Sequence, residues 1–232
     1  MIERKFQTAS MKPRSAIRIA VLILLSASGI NVLADPPYQA PETQDRSSVS
    51  PDKKWEYQPH EDEPKLVKAG TDQVAVPFSG ECNGGGCGNA TVLWAPDSRR
   101  FAFYYGQGRE HQSSLYQLDD EEWRAIKAPD DSDEILTVVD RAITIQAKRK
   151  GLARNMLRHI EYTVKVYRWT DANTALVYAV DLEKNQTGDL FFGAGFVFTL
   201  KFDHSGNWRI AKTCRIRKAY DSKATSDLVR LL

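Results

Sequence analysis

The chain has 232 residues, with 32 Lys and Arg set against 30 Asp and Glu. Residues 1–34 hold Arg4, Lys5, Lys12, Arg14 and Arg18 against Glu3, so the formal +2 of the whole becomes −2 for the rest. That remainder lacks the basic surface with which a nucleic-acid binder displaces counterions, and no segment of it is long and apolar enough to cross a membrane as a helix.

The first 34 residues read as a secretory signal peptide. A basic start is followed by the apolar run "IAVLILLSASGINVLA", which ends in Val32-Leu33-Ala34 before Asp35. Small residues at the last and third-last positions suit cleavage after Ala34. A retained membrane anchor is the alternative, but Ser26, Ser28 and Asn31 interrupt a run already shorter than the roughly 20 residues a spanning helix needs. The sequence therefore predicts a periplasmic or secreted protein with no stable membrane insertion once the signal is removed. Residues 35–50, "DPPYQAPETQDRSSVS", have no apolar period and read as a flexible tail. Residues 51–232 suit one domain, with five Trp, eight Tyr and eight Phe to fill its core.

From Trp55 to Lys127 the pattern predicts short strands near 55–57, 65–69, 73–78, 91–94, 101–105, 114–118 and 122–126. β-branched and aromatic residues fill them, and Gly, Pro, Asp or Asn break them. Asp119-Asp120 reads as a hairpin turn. The period then changes: Ile135, Val138, Val139, Ala142 and Ile145 form a helical stripe, starting after a cap at Asp131 or Ser132 and ending at Gly151. Strands return at 161–169, 174–182, 190–202 and 208–216, with turns at "TDAN" and "DHSGN". A last helix is predicted in "DSKATSDLVRLL". The class is α+β and β-rich: antiparallel blade-like sheets in the N-terminal half, then one helix with an antiparallel meander.

The segment "WAPDSRRFAFYY" resembles the Trp-Ser-Pro-Asp element of WD-repeat-like β-propeller blades of the Tol translocation protein type. A second copy is "SPDKKWEY", and Ala95 follows Ser50 by 45 residues, against a blade period of about 40–45 residues. The same step lands next on Asp140 and Asn185, where no Pro-Asp turn stands. The resemblance thus covers about residues 50–127. It implies two blade-like sheets and a role in binding or scaffolding.

Little else carries chemistry. Cys82 and Cys87 enclose "NGGG", and Cys214 lies on a distant strand. In an oxidising compartment the close pair is expected to form a disulfide worth about 2 kcal/mol. A three-thiolate metal site is the alternative, though zinc sites favour four ligands at shorter spacing. Cys214 alternates with Trp208, Ile210 and Ile216, which predicts a buried thiol. The acids Asp130, Asp131, Asp133 and Glu134 before the helix, and Lys148, Arg149 and Lys150 at its end, complement its dipole. Arg154, Arg158 and His159 extend the basic end into a possible polyanion contact. His60, His111, His159 and His204 lack metal-ligand spacing, and His111 sits in "GQGREHQSS", read as a loop. No catalytic residue, metal ligand or cofactor site is assigned. The sequence points to an exported, non-catalytic binding or scaffold protein whose partner is a protein or envelope ligand; the alternative is an exported hydrolase using carboxylates or His111.

Overall fold

The two Pro-Asp turns have the same geometry. In a computed structural model, which describes residues 48–60, 63–80, 87, 90–107 and 110–216, three hydrogen bonds of the first turn recur 45 residues later in the second, while the two made by Ser50 Oγ have no counterpart at Ala95. Ser50 N–H donates to Trp55 O at 2.9 Å, and Ala95 N–H to Arg100 O at 2.9 Å. Lys53 N–H donates to Ser50 O, and Ser98 N–H to Ala95 O. Asp52 Oδ1 accepts from Lys54 N–H, and Asp97 Oδ1 from Arg99 N–H, both at 3.1 Å. The fourth residue of each turn is left-handed, Lys53 at φ 61° and Ser98 at φ 60°. Proline presets the turn and aspartate closes it on the next backbone N–H.

Each turn opens an antiparallel meander. The first contains β1 (Trp55–Gln58), β2 (Lys65–Lys68) and β3 (Val74–Pro77), with Val49 bridging Glu56 ahead of β1. The second contains β4 (Thr91–Trp94), β5 (Arg100–Gln107), β6 (Glu110–Asp119) and β7 (Glu122–Ile126). Trp94 pairs with Phe101 as Val49 does with Glu56, again 45 residues on. Tyr57, Leu66, Val76 and Phe78 from the first meander are buried against Val92, Trp94, Phe101, Phe103 and Tyr116 from the second. Phe78 stacks on Phe103 at 4.0 Å between centroids, and Phe101 on Tyr116 at 4.9 Å. Aromatic burial of this kind is the main source of stability between the two sheets.

The C-terminal half is one antiparallel meander with a helix on its face. Its strands are β8 (Leu157–Asp171), β9 (Thr174–Asn185), β10 (Phe191–Phe202) and β11 (Trp208–Arg215). The helix α1 (Asp133–Arg149) crosses from β7 to β8, which allows β8 to run parallel to β6 at Glu110↔Tyr162 and His111↔Thr163. That junction merges the second blade-like meander with the C-terminal one into a single eight-stranded sheet. Ile135, Val139, Ala142, Ile143 and Ala147 of α1 pack on Ala175, Val177 and Ala179 of β9 and on Phe196 and Phe198 of β10.

The α+β class, the single helix and its Ser132 cap position match the sequence reading. Ile145 does not: it is 43% exposed. Ten residues after Ile135 at 3.6 residues per turn place it about 80° off the stripe, and Ile143 takes its place. Several strands run longer than expected, β8 most of all, because its ladder with β9 continues from Leu157↔Asn185 to Asp171↔Thr174. The chain is already built into the fold at Ser48–Ser50, where Ser50 is buried and Tyr57 N–H donates to Ser48 O at 2.7 Å. The predicted signal peptide, the rest of the predicted tail and the predicted final helix lie outside the described residues.

Arg100 ties the turns together. It is 5% exposed and donates to Gln117 Oε1, Ala172 O, Asn173 Oδ1 and Asp203 O, at 2.7–2.9 Å. Three separate chain reversals thus meet on one guanidinium, whose planar fork suits several fixed acceptors.

Candidate functional site

The residues singled out by sequence do not form one site. Cys87 is buried in the aromatic core between the first two sheets; Cys82 lies outside the described residues, and the expected pairing with it. Cys214 is a free thiol and only half-buried, contrary to expectation, because β11 is the outer strand of its sheet. His111 is not in a loop. Its backbone belongs to β6 and pairs with Gly106, since β5 and β6 stay in register up to Gln107↔Glu110. Two members of the basic cluster are engaged by acids: Arg154 bonds Asp140 and Glu183, and His159 lies against Asp181. A polyanion would have to compete with carboxylates already in place.

Two other places carry unsatisfied chemistry. The first is a groove of about 820 Å³ between the small sheet and the β6–β7 hairpin. Lys54, Trp55, Lys68, Gln73 and Val74 line one wall; Leu118, Glu121, Glu122 and Trp123 line the other. Trp55 and Trp123 meet edge to face at 5.6 Å. Their two indole N–H groups are buried without an acceptor, which is uncommon for tryptophan. Among the described residues β3 pairs only with β2, and β7 only with β6, so both present an open edge where the groove runs. Val74 on β3 is 49% exposed. The rim is held at an unusual turn: Asp120 at φ 46° and Glu121 at φ 70° are both left-handed, as a two-residue hairpin demands.

The second place is a polar cluster where β9 meets the 3-10 turn Arg154–Met156. Alternation along β9 carries Asp181 and Glu183 on the same side as Ala175, Val177 and Ala179, which face α1. His159 and Tyr162 of β8 would face opposite sides of a regular strand. A bulge between His159 and Glu161 turns both toward the acids, in register with Glu183 and Asp181 respectively. Arg154 grips both oxygens of Glu183 at 2.5 Å and holds Asp140 through Nε at 2.7 Å. His159 Nδ1 lies 3.1 Å from Asp181 Oδ1.

No family model matches the chain. No curated protein and no solved structure matches it closely enough to show kinship. What the cluster can do therefore rests on its own electrostatics. Burial pushes the Asp181 carboxyl up to about 6, aided by the charge of Glu183 and opposed by His159 and Arg154. Burial also pushes the Tyr162 phenol up, with Asp130 and Asp181 adding to the effect. The Tyr162 hydroxyl makes no hydrogen bond. Sequence reasoning placed His159 in a basic patch and passed over Asp181 and Glu183. Their Asp-x-Glu spacing on an apolar strand was the available signal, since two acids on a core-facing side need compensation.

Proposed function

We propose that the protein is an exported, non-catalytic binding protein that takes an extended polypeptide segment into the groove between β3 and β7. The observation that carries this reading is the pair of open strand edges bordering one groove, with the touching rings of Trp55 and Trp123 in its lining. An added strand would gain main-chain hydrogen bonds along such edges. Lys54 and Lys68 on one wall, and Glu121 and Glu122 on the other, would select a segment of mixed charge. The signal-like leader supports a periplasmic or secreted location for this binding, and the turns at Ser50 and Ala95 resemble a kind used for scaffolding.

Hydrolysis by paired carboxylates is the second reading, favoured by the raised Asp181 carboxyl. It is the poorer one: Glu183 is 2% exposed and already held by Arg154, which closes the pair to a substrate. Among the described residues no helix is long and apolar enough to cross a membrane.

A photo-crosslinking residue placed at Val74 in cells tests the binding reading. It should give one discrete adduct, reduced when Trp123 is also changed to Ala. The same probe at Ile145, equally exposed but on α1, should give none. Equal adducts at both positions, or none at Val74, would overturn it.

A further inference from the structure

The His159–Asp181–Glu183 cluster has the donors and the charge of a cation site. Its ligand atoms, one imidazole nitrogen and two carboxylate oxygens, all lie within 4.8 Å of one another. Acids alone would prove nothing, but a second feature stands beside them. Asp181 is 8% exposed, and its Oδ1 takes part in no hydrogen bond although His159 Nδ1 is only 3.1 Å away. The two atoms are in ion-pair contact with no hydrogen bond between them. Ligands on one ion stand in that relation: bonds of about 2.0–2.1 Å in a tetrahedral site set neighbouring donors about 3.3 Å apart.

Charge points the same way. Asp140 is more than half exposed, but Asp181 and Glu183 are buried and have only Arg154 as a cation beside them when His159 is neutral. Buried carboxylates are stable when paired or when they coordinate a metal. Arg154 already spans two acids, so it can release Glu183 and stay on Asp140. The side chain of His159 is 44% exposed and gives an ion its way in.

We propose that His159 Nδ1, Asp181 and Glu183 bind one Zn²⁺ ion, with Arg154 competing for Glu183. An imidazole with carboxylates is a donor set that zinc accepts, and a fourth position remains for water. The site is separate from the groove and does not depend on the binding reading above.

Calorimetric titration of the purified, chelator-stripped chain with ZnCl₂ tests this. One equivalent should bind. His159→Gln should weaken binding at least about tenfold, the lower end of what disturbing a metal site costs. Because His159 is half-exposed, this variant keeps its fold, which its melting curve without zinc verifies. Arg154→Gln should tighten binding, since it removes the competitor; a purely structural ion pair predicts no such gain. The proposal fails if zinc does not saturate, if His159→Gln binds as well as the native chain, or if Arg154→Gln weakens binding.

Discussion

The backbone N–H of Asp52 donates to Oγ of Ser98 at 2.9 Å, so the fourth residue of one Pro-Asp turn caps the third residue of the other. The two copies of the motif are therefore bonded to each other as well as alike. Ser98 is 2% exposed. Ser98→Ala removes the acceptor and should cost about 1 kcal/mol, the usual worth of such a bond. Urea unfolding would read it as a lower midpoint with unchanged slope.

Arg100 should matter more. Its removal leaves Ala172 O, Asp203 O and the buried Gln117 Oε1 without their donor in a part-buried corner. Arg100→Met keeps much of the volume but none of the donors, and should destabilise by about 3 kcal/mol or more. Thermal unfolding would show this as a drop of several degrees. A near-native melt would mean that water takes over the three carbonyl groups.

Gly206 is required where it stands. It sits at φ 79°, and an added Cβ would lie 2.8 Å from Ile126 Cγ2 and 2.9 Å from Gln117 Oε1. Gly206→Ala therefore meets both a left-handed backbone and a crowded neighbour that holds Arg100. The expected loss is about 2–3 kcal/mol, combining the strain with overpacking.

The β6–β7 hairpin allows a gain instead. Asp120 and Glu121 are both left-handed, the conformation that Asn-Gly adopts with least cost. Replacing the pair by Asn-Gly should stabilise the protein by about 1 kcal/mol. Glu121 lines the groove, so the same change should weaken crosslinking at Val74. Stability and binding would then move in opposite directions.

Asp181 sets a pH dependence in chelator-treated protein. Its carboxyl is raised by burial from 3.8 to about 6, so the folded state holds a proton that the unfolded state releases earlier. Between about pH 4 and 6 stability should fall as pH rises, with the contribution fully present below 4 and lost above 6. Asp181→Asn should flatten that part of the profile. A native profile that rises across the window would contradict the assignment.

The fold was legible where local chemistry decides it. Pro-Asp turns, the Ser132 cap and the alternating aromatic strands are local, and the structure follows them. The β6–β8 pairing was not legible, because two parallel residue pairs reached through a helix leave no sequence period. The polar cluster was hidden for a related reason. His159 and Tyr162 face the same way only because of a bulge, and a bulge is fixed by its partner strand, not by the residues around it. The groove joins Lys54, Gln73 and Glu122 from three separate segments, which only the packing of two sheets brings together.

Amide hydrogen exchange on the protein recovered with its bound segment, compared with the protein alone, tests the central claim most directly. The account predicts added protection at Val74–Pro77 of β3 and Glu122–Ile126 of β7, with the outer strands β4 and β11 of the larger sheet unchanged. Protection confined to Thr91–Trp94 or Trp208–Arg215 would place the ligand elsewhere and contradict it.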